Sequence, residues 1–237
     1  MSEASSRPTK VPSPPPAGPG VPLGRFEGAA FMGTGAALVV HILLDVPLWL
    51  SVVATVGLAA TVLVLAARRH PADRAGGRQV IGIGVLSATV ALVAYDTTRL
   101  IVVEVFDHQV RPFDALPHFG AGLIGSSTPE TAQWVAGALF HITNAVTFGI
   151  AYTVLAGQQP TRRRGVTAGV LFGLGLEAMM LGFYPAWLQI PNLREFISMS
   201  LAGHIAYGAT LGLLAQIRLD RLARSRPRPG PLGTPSC

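Results

Sequence analysis

"RRRGVTAGVLFGLGLE", residues 162–177, decides the fold. Three arginines open it, an apolar run follows, and Glu177 closes it. Apolar sequence behind an arginine cluster reads as a membrane-spanning helix with its charged end in water. Gly165, Gly169, Gly173 and Glu177 recur every four residues, so they share one helix face. A stripe of small residues lets a second helix come close. "SLAGHIAYGATLG" (200–212) carries the matching stripe: Ser200, His204, Gly208 and Gly212. Antiparallel packing of the two stripes is predicted to bring Glu177 and His204 face to face.

The rest of the chain has the same character. Half of its 237 residues are hydrophobic and only 13% are charged, the balance of a membrane protein rather than of a soluble domain with one core. A helix needs about 20 apolar residues to cross the hydrocarbon core. Six spans are predicted, at roughly 28–46, 48–67, 79–105, 130–156, 165–187 and 196–217. "DVPLW" (45–49) reads as a tight turn between the first two. "STPE" (127–130) reads as a helix start, with Thr128 as the cap and Pro129 in the first turn.

Cations set the expected orientation. Arg7, Lys10 and Arg25 precede the first span. Arg68, Arg69, Arg74 and Arg78 lie between the second and third. Arg162, Arg163 and Arg164 lie between the fourth and fifth, and Arg218, Arg221, Arg224, Arg226 and Arg228 follow the sixth. The remaining connections carry only Arg111 and Arg194. The positive-inside rule then places both termini in the cytoplasm. The expected object is an all-α, multi-pass bundle in the cell membrane. Residues 1–25 form a disordered, Pro-rich cytoplasmic tail without the apolar core of a secretory signal. Residues 26–218 form the membrane domain, with an external loop at 106–127 that acts as a lid or lies on the membrane. Residues 219–237 form a basic disordered tail.

Several functions are excluded. Cys237 is the only cysteine, so an internal disulfide or a CxxC site is impossible, and its position does not fit a prenylation box. The net charge of +6 is explained by topology, and no nucleic-acid partner is expected. No Walker A, dinucleotide fingerprint or GxSxG occurs.

Polar residues inside spans are costly and mark candidate sites. Depths follow from a rise of about 1.5 Å per residue, counted from the cytoplasmic end. On that scale His41, Asn144, Glu177 and His204 lie about 18–20 Å up, His141, Asp96 and Asp45 about 24–26 Å, and Arg99 about 29 Å. With a hydrocarbon core about 30 Å thick, all fall between the midplane and the outer interface. His41 and Asp45 share a helix face, as do Asp96 and Arg99, His141 and Asn144, and His204 and Tyr207.

A polar pocket in the outer half is therefore expected. The candidate catalytic residues are Asp96, Glu177, His204, His141 and Arg99. Imidazole and carboxylate also suit a transition metal, with His41, Asp45, His141 and His204 as candidate ligands, although no HxxxH, HExxH or ExxH motif supports it. No cofactor is specified.

Three functions fit. The first is a small integral-membrane enzyme using acid–base, optionally metal-assisted, chemistry on a lipid or isoprenoid-like substrate, because carboxylates in apolar surroundings can hold and donate a proton. The second is a proton-coupled carrier, since buried carboxylates and histidines form proton relays. Against it stand the small number of spans and the lack of an internal repeat. The third is a non-catalytic subunit of a membrane complex, its glycine stripes serving oligomerisation. Expected partners are membrane lipid, a lipophilic small molecule and a second copy joined through helices.

Overall fold

The structure, a computed structural model, describes residues 24–69 and 74–225. Most of both expected tails lies outside the described residues. The described chain is helical throughout, without a strand. Its elements are α1 (Arg25–Ala30), α2 (Gly33–Leu44), α3 (Leu48–Arg69), α4 (Arg74–Phe106), α5 (Ala115–Ile124), α6 (Glu130–Ala156), α7 (Arg162–Trp187) and α8 (Leu193–Ser225).

Five of these, α3, α4, α6, α7 and α8, are long and apolar enough to cross a membrane. They coincide with five of the six expected spans. The first expected span, 28–46, is divided. α1 ends at Ala30, and α2 supplies only 12 residues, about 18 Å of helix. The break falls in "GAAFMGTG", where glycine lowers helix propensity. Gly35 instead lets the ring of Phe148 press against the α2 backbone. α2 stops at Asp45, which adopts a left-handed conformation (φ 52°) ahead of Pro47. Aspartate tolerates that conformation better than most residues, and proline cannot continue the helix.

Two local expectations are corrected. Thr128 does not cap α6. Pro129 takes the N-cap position, and the Thr128 hydroxyl donates to the Gly125 carbonyl at 2.7 Å. At the other end α8 runs to Ser225, through the first residues of the stretch expected to be a disordered tail.

α7 and α8 pack along the two glycine stripes. A methyl group on Gly169 would collide with the carbonyl oxygen of Gly208, one on Gly212 with that of Gly165, and one on Gly173 with that of His204. Backbone thus touches backbone, which is what a small-residue stripe permits. Both stripes are used within the chain. α8 also packs on α4, and α4 on α6, so that α7, α8, α4 and α6 form an open ring. The backbones of α6 and α7 scarcely approach each other; α2, with Thr34 hydrogen-bonded to Thr147 at 2.9 Å and His41 against Trp187, covers the seam between them. At the arginine-bearing end the Tyr152 hydroxyl spans it, donating to the Gly165 carbonyl at 2.7 Å.

The opposite end is closed by the 107–129 segment, and its helix α5 lies tightly on α6. Gly120 faces the carbonyl of Gln133, and Gly137 that of Leu116, with no room for a side chain at either. Phe119 of α5 stacks on Trp187 at 5.7 Å and meets Phe140 at 5.8 Å. The long connection is thus a packed lid carrying a helix of its own.

Candidate functional site

Tyr95 is the centre of the polar region. It sits on α4, buried, with its ring 4.9 Å from the His204 ring and 5.9 Å from the His141 ring. Arg99, one helical turn on, lays its guanidinium over the same ring at 4.9 Å, a cation–π arrangement. Gly203 of α8 makes this possible: a methyl group there would lie 2.8 Å from Arg99 Cγ and 2.9 Å from Tyr95 Cε2.

On one side of Tyr95 are Asp96, Arg99 and His141. The Asp96 carboxylate lies 3.4 Å from Arg99 Nη1 and 3.3 Å from His141 Nε2. Arg99 is only 7% exposed. Its Nη2 donates to the carbonyl of Pro112 in the lid, and its Nε has no partner among the described residues. Arg99 does not reach for water. It ties a span to the segment that covers it. Glu195, in the first turn of α8, ties the same segment from the other side, accepting the backbone N–H groups of Gln109 at 2.7 Å and Val110 at 3.0 Å.

On the other side of Tyr95 are Glu177, Ser200 and His204, all buried. His204 Nδ1 lies 2.8 Å from Glu177 Oε2 and 3.0 Å from the Ser200 carbonyl oxygen. A backbone carbonyl only accepts, so Nδ1 carries the proton. In the neutral form of the ring the lone pair is then on Nε2, which has no hydrogen-bond partner among the described residues. The Ser200 hydroxyl donates to Glu177 Oε2 at 2.7 Å, while Glu177 Oε1 is buried without a partner. The facing of Glu177 and His204 expected from the stripes is present.

Beside these groups is a partly open cavity of about 120 Å³. Tyr95, Arg99, His141, Asn144, Ser200, His204 and Tyr207 form its polar wall; Leu92, Leu116, Phe119, Phe148, Leu176, Met180 and Tyr184 form its apolar wall. Asn144 Oδ1 is a further buried oxygen without a partner. A second recess lies above, under Arg111, Asp114 and His118, and shares Arg99, Pro112, Ala115, Leu188 and Phe196 with the first.

The expected metal ligands do not form one set. His41 donates from Nδ1 to the Val46 carbonyl at 2.8 Å and meets the edge of Trp187 at 5.5 Å. Asp45 is exposed in its left-handed cap. His141 turns to Asp96 and His204 to Glu177, on opposite sides of Tyr95. Among the described residues no three His, Cys, Asp or Glu side chains converge to hold a metal ion. Sequence reasoning missed Tyr95, Ser200 and the Pro112 carbonyl. Tyr95 was accessible to it, since its i, i+4 relation to Arg99 puts both on one face. Pro112 was not, because a backbone carbonyl leaves no mark in sequence.

Fold and site together define a class: an apolar helical bundle of membrane-protein character with an internal polar cavity under a packed lid. The chain belongs to a family of unknown function, DUF6789, whose profile matches residues 78–225. The matched region holds every residue named above as lining the cavity and leaves out α1–α3, with His41 and Asp45. No curated protein and no solved structure matches the chain.

Proposed function

We propose that this protein is a small integral-membrane enzyme that carries out proton-transfer chemistry on a lipid or isoprenoid-like substrate. The observation that carries this reading is the Glu177–His204 pair. Its carboxylate fixes the imidazole so that Nε2 is left basic at a cavity. A base held this way takes a proton from bound substrate, and the carboxylate stabilises the imidazolium that forms. His141, held by Asp96 across the Tyr95 ring, is placed to return a proton. The reading puts the chain in the cell membrane with both termini cytoplasmic, following the arginines, and the cavity toward the outer face.

The test is the lipid and terpenoid profile of the native host. Asp96→Asn combined with Glu177→Gln should deplete one product and accumulate its precursor. An unchanged profile, with the double variant present in membranes at the wild-type level, rules the reading out.

A further inference from the structure

We infer that the cavity takes the head of an uncharged, hydroxyl-bearing amphiphile, a long-chain alcohol of isoprenoid type, whose tail leaves through the cavity's open mouth. This rests on the reading of the cavity as a substrate site, and it adds the charge and shape of what binds.

Charge is the first argument. Among the described residues Arg99 is the one permanent cation on the cavity wall, and it is already matched by Asp96 and the Pro112 carbonyl. Glu177 adds a second carboxylate behind His204. With neutral histidines the surrounding formal charge is negative, and protonating one histidine brings it only to zero. A phosphate or carboxylate head would be buried without a counter-charge, which is strongly unfavourable. The recess above offers no surplus either, since Arg111 pairs with Glu104 at 3.7 Å and Asp114 stands beside it.

Hydrogen bonding is the second argument. On two residues of the cavity wall, Arg99 Nε–H is a buried donor and Asn144 Oδ1 a buried acceptor, each without a partner among the described residues. A hydroxyl group donates once and accepts twice, so it answers both needs. A ketone or ether answers only the donor.

Size is the third. A cavity of about 150 Å³ holds a benzene-sized molecule, so the 120 Å³ here takes a head and one short branched unit, not a whole chain. The remainder must leave through the cavity's open mouth.

The experiment is equilibrium binding of radiolabelled farnesol and of farnesyl phosphate to the detergent-purified full chain. Farnesol should bind saturably at one site, at least tenfold tighter than farnesyl phosphate. Asp96→Asn removes one negative charge and frees Arg99, so it should narrow that gap at least threefold. Ala145→Phe and Met180→Trp fill the cavity from α6 and from α7, and whichever elutes as a monodisperse species should lose farnesol binding. Farnesyl phosphate binding as tightly as farnesol, or farnesol binding that survives both filled cavities, overturns the inference. Glu177→Gln separates this from the catalytic reading, because Glu177 does not line the cavity. Binding kept while turnover is unaffected sinks the acid–base role alone, whereas turnover lost without any farnesol binding in wild type sinks the ligand alone.

Discussion

His204 Nδ1 lies 2.8 Å from Glu177 Oε2, and the two residues sit on antiparallel helices whose glycines leave no side chain between them. The pair is a product of backbone packing. Its geometry is only as good as the fit of α7 on α8.

Glu177→Gln keeps the shape and removes the charge that steadies a protonated His204. Turnover of the host's lipid precursor should fall about 10²–10⁴-fold, the range of general acid–base catalysis. Ser200→Ala removes one hydrogen bond to the same carboxylate and should cost about 1 kcal/mol of stability, with a smaller loss of turnover. Equal losses from the two variants would mean that the cluster serves packing alone.

Gly169→Leu drives a side chain into the Gly208 carbonyl. Overpacking of this kind costs about 1–3 kcal/mol or more and should lower the thermal midpoint of the purified protein. Gly175→Ala is the control, because nothing lies within 4 Å of an added methyl group there. It should be neutral, or stabilising by up to about 1 kcal/mol.

Arg99→Met breaks a buried ion pair and the tie to Pro112 together. The expected cost is about 3–5 kcal/mol. Hydrogen exchange should rise first in residues 107–114, ahead of α4 itself. Protection that falls uniformly over the bundle would show that Arg99 holds the core and not the lid.

Cysteine labelling tests the orientation. In a Cys237→Ser background, Ser126→Cys should react with a membrane-impermeant maleimide on intact cells, and Ser225→Cys only after lysis. Both serines are exposed and lie at opposite ends of the bundle. The reverse pattern would invert the topology drawn from the arginines.

Much of this was legible in the sequence, for reasons tied to particular residues. Five helices could be read because apolar length is a local property. The α7–α8 register could be read because Gly165, Gly169 and Gly173 repeat with the helical turn, and it put Glu177 opposite His204. The division of the first expected span was hard to read because the glycines of "GAAFMGTG" weaken a helix without fixing where it ends. His41 and Asp45 looked like site residues by depth, but depth says nothing about rotation. One turns to its own turn's carbonyl and the other caps α2. The role of Arg99 was hidden because its partner is a backbone oxygen in a segment that reads as a loop.

The interlock of α7 and α8 also governs how the molecule responds to the bilayer around it. With backbone against backbone there is no clearance for sliding, and turning either helix by one residue, about 100°, would drive a larger side chain into the contact. The two move as one body. Any movement must then fall elsewhere, between this pair and α6, where backbone contact is sparse. On the proposed reading, the thickness of the surrounding bilayer bears on the width of the cavity, and affinity for its ligand should vary with the lipid.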